Sequence, residues 1–104
     1  MKRAQVRTLK RAVRAGLEPG RPGSVHLLSQ ESALALLARS IDFGHRRLAI
    51  CRLSAAVQVG ARVPPEHWLY CAQVIAIDPD PKLHELYGLA VARASAQVSV
   101  APLQ

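Results

Sequence analysis

The hydrophobic positions along the chain recur with the spacing of amphipathic α-helices, and residues that begin or end helices separate the segments. Four such segments follow one another in the sequence, over residues 30–41, 45–59, 65–77 and 81–96. The sequence therefore predicts an all-α fold, in which residues 26–96 form a small bundle of about four helices.

Capping residues set the boundaries of these predicted helices. Ser29 is expected to cap the first helix, with Glu31 in its first turn, where the helix dipole favours an anion. The short break Asp42-Phe43-Gly44 separates this helix from the second. Asp80 is expected to cap the last helix, whose first position is the proline Pro81.

Each predicted helix has one apolar face that we expect to be buried. In the second helix, β-branched residues alternate over residues 55–60, and this pattern also suits a β-strand. In chain order, the four faces consist of Leu34, Leu37, Ala38 and Ile41; Leu48, Cys51, Ala55 and Val59; Trp68, Cys71, Ala72 and Ile75; and Leu83, Leu86, Tyr87, Ala90, Val91 and Ala94.

The residues before this domain are interpreted as a separate basic arm, residues 1–16, followed by a Pro/Gly linker over residues 17–25. Residues 2–16 can form a helix, but a short segment with many like charges is a poor isolated helix, so we expect the arm to fray when it is free. Residues 97–104 are expected to form a flexible tail. The apolar stripe of the arm consists of Val6, Leu9, Val13 and Leu17.

The positive charge of the chain is concentrated in this arm. Six of the 14 basic residues lie within the first 14 positions, and no acidic residue precedes Glu18. The remaining residues carry eight basic and seven acidic side chains, so nearly all of the net charge of +7 belongs to the arm. Such a cluster indicates binding to a polyanion. Its members are Lys2, Arg3, Arg7, Lys10, Arg11 and Arg14.

Three partners suit a basic amphipathic arm. It can contact the phosphates of a nucleic acid, lie on an anionic membrane surface, or dock in an acidic groove of a protein. No aromatic residue stands between its cations to stack on single-stranded RNA or to anchor the arm in a membrane. DNA is therefore the preferred partner.

The first two predicted helices have the connection length of a helix-turn-helix motif. In that motif the start of the second helix reaches base edges in the major groove. Here that position is occupied by His45, Arg46 and Arg47, with Arg52 two turns after His45. Arginine reads guanine edges and also binds phosphates, so these four residues are predicted to bind DNA. The alternative is that Arg46, Arg47 and Arg52 form a solvated helix face.

Residues 63–94 resemble the C-terminal half of small phage-type helix-turn-helix regulators. The resemblance covers about a third of the chain, and the tetrapeptide at residues 28–31 resembles the usual opening of that family. It implies a cytoplasmic, DNA-binding transcription regulator of phage or mobile-element type. The residues between that opening and Pro64 are more numerous than in the compact motif of that family. The matching positions are Ala72, Ile77, Asp78, Pro79, Ala92, Arg93 and Ala94.

The sequence offers no motif for catalysis, so the protein is expected not to be an enzyme and to need no cofactor or metal. Its four histidines fall in different elements, and neither a zinc-protease helix nor a nucleophile elbow occurs. Cys51 and Cys71 stand apart in apolar stretches, which predicts buried thiols in a reducing cytoplasm.

The alternative function is a protein-binding adaptor or inhibitor that acts on a larger protein. Trp68 and Tyr70 lie on different sides of one predicted helix, so one of them is expected to be exposed or at an interface, where aromatic residues are enriched. The alternative is that both are half-buried at the edge of a small core. A domain of this size buries too little surface to be very stable alone, which favours a homodimer or a bound partner.

Overall fold

The computed structural model describes residues 3–17 and 23–99, and all of its regular structure is helical. The predicted all-α fold is confirmed, with five helices in these ranges rather than four. They are α1 (Arg3–Leu17), α2 (Gly23–Asp42), α3 (Arg46–Gln58), α4 (Pro65–Ile77) and α5 (Pro81–Ser99). The β-strand considered for residues 55–60 is wrong, because α3 continues to Gln58.

Glycines end α2 and α3 in the same way. At Gly44 the backbone turns left-handed (φ +68°), and the next amide, that of His45, donates to the Ser40 carbonyl over 2.8 Å. At Gly60 (φ +80°) the amide of Ala61 likewise donates to the carbonyl of Ala56, over 2.9 Å. Both are Schellman caps, in which glycine adopts a conformation that side chains disfavour.

Contacts at both ends of α3 show how α2, α3 and α5 run relative to one another. The side-chain amide of Gln30 donates to the carbonyl of Val59 over 3.0 Å, while a three-residue turn joins the opposite ends of α2 and α3. These helices therefore run antiparallel along their length. At the start of α3, Arg47 forms an ion pair with Asp80, which precedes α5, and Val57 and Ala94 share a cavity wall at the other end. The helices α3 and α5 therefore run parallel.

The core lies around α3, which packs against α2, α4 and α5. Leu37 of α2, Ile50 and Leu53 of α3, and Cys71 of α4 are fully buried. The buried face of α3 consists of Ala49, Ile50, Leu53, Ala56 and Val57.

That face is nearly opposite to the one predicted for α3. Cys51 was expected to be buried and is exposed, and Leu48 and Ala55 are only half-buried. The apolar face assigned to α5 is largely confirmed by buried Leu83 and Ala90, but Val91 is exposed. The error in α3 arises because small and apolar residues occur all around a helix that lies between three others.

The helix α2 begins earlier than the capping residues indicated. Gly23 is its first residue, so Ser29 lies inside the helix, where it is buried, and does not cap it. Residues 23–25 therefore belong to α2 and not to the predicted linker, whose residues 18–22 lie outside the described residues. At the other end of the domain α5 includes residues 97–99 of the predicted tail, and residues 100–104 are not described.

The predicted basic arm is not confirmed as a separate segment. Instead, α1 packs against α2 and contributes to the hydrophobic core. Val13 is only 8% exposed, and Val6 and Leu9 are half-buried against the core, whereas Leu17 is exposed. Three of the four residues of the predicted apolar stripe, Val6, Leu9 and Val13, thus attach α1 to the rest of the fold, whereas Leu17 does not.

We predict that Val13→Asp lowers the free energy of unfolding by about 2 kcal/mol or more, because it buries an unpaired charge. Thr8→Asp makes the same change of charge at an exposed position of α1 and should alter stability by no more than about 0.5 kcal/mol. Urea unfolding measures both values. Equal stability of the two variants would contradict the packing of α1.

Candidate nucleic-acid interface

The cations of α1 form one exposed surface. Arg3, Arg7, Lys10, Arg11 and Arg14 are all exposed, and helical periodicity places them within an arc of about 100°. No ion pair among the described residues involves any of them. We call these five residues the α1 basic face. Lys2, the sixth predicted member of the cluster, lies outside the described residues.

The three arginines of α3 do not all share a face. Arg46 and Arg47 are about 100° apart around the helix axis, and Arg52 is about 120° from Arg46 and about 140° from Arg47. Arg46 and Arg47 are exposed, whereas Arg52 is half-buried and points toward α1 and α2. The structure therefore separates the α3 residues that were predicted to act together.

Arg47 contributes to the contact between α3 and the start of α5. Its guanidinium binds the carboxylate of Asp80. Asp80 also caps α5 as predicted, since its other carboxylate oxygen accepts the amide of Lys82 over 2.9 Å. The preceding turn is closed by Asp78, which accepts the amide of Asp80 and whose carbonyl lies 2.6 Å from the ring of His84. Arg47 is thus already paired within the fold.

The turn between α2 and α3 carries a stack of three side chains. The ring of exposed Phe43 has the guanidinium of Arg39 5.0 Å from its centre and the ring of His45 stacked on it at 5.9 Å. The planar guanidinium of Arg39 is attracted to the face of the Phe43 ring. Phe43 thus contacts both Arg39 of α2 and His45, the residue before α3.

Arg52 lies beside a cavity of about 260 Å³ between α1, α2 and α3. Lys10 and Arg14 of the α1 basic face line the same cavity. Burial lowers the pKa of Arg52; the nearby Cys51 raises it, and the charge of Arg39 lowers it further. This brings Arg52 next to Lys10 and Arg14 of the α1 basic face, a contact that depends on the antiparallel packing of α2 and α3.

The two aromatic residues predicted to lie at an interface are both half-buried. Trp68 and Tyr70 pack against the core, and the ring of Trp68 meets Tyr87 edge-on at 6.2 Å. The large apolar side chains that α4 exposes are instead Leu69 and Ile77. Their exposure was not anticipated, since it follows from which side of α4 faces α3.

Two further properties of the described residues bear on possible partners. No helix in residues 3–17 and 23–99 is both long and apolar enough to cross a membrane. The same part of the chain contains no cluster of three or more histidine, cysteine or acidic residues that suits a metal ion.

Comparison with known proteins gives no relative. No family model, no curated protein and no solved structure matches this chain.

The two thiols differ in environment, in contrast to the prediction that both are buried. Cys51 is exposed, whereas Cys71 is buried and its pKa is raised by burial to about 11. A buried, protonated thiol is unreactive, since the thiolate is the nucleophile.

We predict that an aromatic disulfide reagent labels Cys51 rapidly in the native protein and Cys71 only as the protein unfolds. In the Cys51→Ser variant, Cys71 should then react at the unfolding rate. Equal labelling rates for both thiols would contradict these environments.

Folding raises the pKa of Cys71 from 9.0 to about 11, because burial disfavours the thiolate. The contribution of this thiol to the free energy of unfolding is therefore complete below pH 9 and is lost as the pH rises toward 11.

Proposed function

We propose that the protein binds duplex DNA through the α1 basic face, with contacts chiefly to backbone phosphates. The observation that supports this most strongly is the attachment of α1 to the core through Val13 while its five cations remain exposed and unpaired among the described residues. Cations on a packed helix lose less conformational freedom on binding than cations on a free arm. A regulatory role fits such binding, since the sequence offers no catalytic motif.

The length of this face suits a nucleic-acid backbone. From Arg3 to Arg14, α1 extends about 16 Å at 1.5 Å per residue. One strand of B-DNA presents a phosphate about every 3.4 Å along the helix axis, so the face spans roughly five phosphates. Contacts of this kind position a protein on DNA without reading the sequence.

The helix α3 is poorly placed to enter a groove of DNA. Arg52 points away from Arg46 and Arg47, and α2 and α5 run along α3 on two sides. In a helix-turn-helix the two helices cross at about 90–120°, whereas the contact of Gln30 with Val59 keeps α2 and α3 side by side. We therefore assign DNA binding to α1, and base reading by Arg46 is not part of the proposal.

The packing of α1 also favours DNA over a membrane surface. A helix that lies on a membrane inserts its apolar side into the lipid. In α1 that side is occupied, because Val13 is buried and Val6 and Leu9 pack against the core. Only Leu17 is left as an exposed large apolar residue of this helix.

Binding to a larger protein is the second candidate, and the exposed side of α4 favours it. Leu69 and Ile77 are 61% and 72% exposed and lie about 80° apart around the helix axis. Neighbouring exposed apolar residues mark interaction surfaces on monomers. A protein that has no affinity for duplex DNA even at low salt would make this candidate the stronger one.

We predict that the triple variant Arg3→Gln, Arg7→Gln, Arg11→Gln flattens the salt dependence of DNA binding. The slope of log K against log salt should decrease in magnitude by about 2 to 3 units, because each neutralised phosphate contributes about 0.9. Fluorescence anisotropy with a labelled duplex at several salt concentrations measures the slope.

The matched control is the triple variant Arg62→Gln, Lys82→Gln, Arg93→Gln. It removes the same charge at exposed positions outside α1, so its slope should equal that of the unmodified protein. If both triple variants lose slope equally, the binding reflects net charge alone and the α1 basic face has no special role.

A further inference from the structure

The cavity between α1, α2 and α3 is lined by basic and apolar side chains. Lys10 and Arg14 reach it from α1 and Arg52 from α3, and among the described residues no acidic side chain lines it. The floor is formed by Val13, Ala33, Leu36 and Ala55. The side chains of three basic residues thus line one cavity of about 260 Å³.

Within residues 3–17 and 23–99, Arg52 has no anionic partner. No ion pair of these residues involves Arg52, and its Nε is buried without a hydrogen-bond partner. The Nε of Arg39, whose charge acts on Arg52, is also buried without a hydrogen-bond partner. A partly desolvated guanidinium next to other cations is unfavourable unless an anion compensates it.

We propose that this cavity is a phosphate-binding site, in which a phosphate group sits between the guanidinium of Arg52 and the side chains of Lys10 and Arg14. The inference rests on the proposed function for the source of that phosphate, which is the backbone of bound DNA. A guanidinium fork matches two phosphate oxygens at once, and the two α1 cations supply donors for the others.

The position and size of the cavity favour a backbone phosphate. Lys10 and Arg14 belong both to the cavity and to the α1 basic face, so a strand that follows this face passes over its opening. The volume is slightly below the roughly 300–1,000 Å³ of pockets for drug-sized ligands. It suits one phosphate with part of a sugar, and the apolar floor suits the sugar carbons.

The test uses the full chain with two probes, inorganic phosphate and a labelled duplex. The variant Arg52→Gln removes the guanidinium, and Arg62→Gln is the control because Arg62 is exposed and outside the cavity. Thermal unfolding is measured in phosphate and in chloride at equal ionic strength. The unmodified protein and Arg62→Gln should gain a saturable rise in Tm from phosphate that Arg52→Gln lacks.

For the duplex, Arg52→Gln should lose affinity about ten-fold or more, and Arg62→Gln less than about two-fold. Arg52→Lys keeps the charge but not the fork and should recover only part of the loss. If Arg52→Gln fails to fold, the double variant Lys10→Gln, Arg14→Gln removes the other two cations at exposed positions and should abolish the phosphate effect.

Two results separate this inference from the proposed function. If the duplex does not bind but phosphate still stabilises the protein through Arg52, the proposed function is wrong and the site takes a free phosphate compound. If the duplex binds through Arg3, Arg7 and Arg11 while Arg52→Gln behaves like Arg62→Gln with both probes, the cavity is not a phosphate site.

Discussion

The contact between the apolar side of α1 and α2 determines what the positive charge of this protein can do. Alone, a 15-residue segment that carries five like charges would be a marginal helix, since nucleation is costly and the charges repel. Burial of Val13, with Val6 and Leu9 against the core, offsets that cost. The same contact turns the cations outward, so one set of side chains both stabilises α1 and orients the α1 basic face.

The antiparallel arrangement of α2 and α3 is the second constraint. It brings Arg52 of α3 toward Lys10 and Arg14 of α1 and places its charge near Arg39. Arg52 is far from Lys10 and Arg14 in the sequence and lies at the same cavity only because three helices pack together. The ends of α2 and α3 are closed by glycines at positive φ, which keep the connections short enough for this packing.

Sequence reasoning predicted the helical elements well because local residues determine them. Asp80 and Pro81 begin α5, and Gly44 ends α2, through interactions within a few residues. Which side of a helix is buried depends on the helices around it, and this explains why Cys51 was wrongly predicted to be buried. Helix α3 lies between three others, so apolar residues on several sides gave no single stripe. The clustering of cations on α1 was visible in the sequence, whereas no local pattern indicated that Arg39 lies near Arg52.

In this structure α1 is a packed part of the fold and presents its cations from a fixed backbone. Amide hydrogen exchange of the free protein, followed by mass spectrometry of peptides from α1, α2 and α3, distinguishes this packing from a free arm. We expect the amides around Val13 to be protected and to open together with those of α2 rather than separately. Exchange of α1 at the rate of an unfolded peptide, while α2 and α3 stay protected, would contradict it.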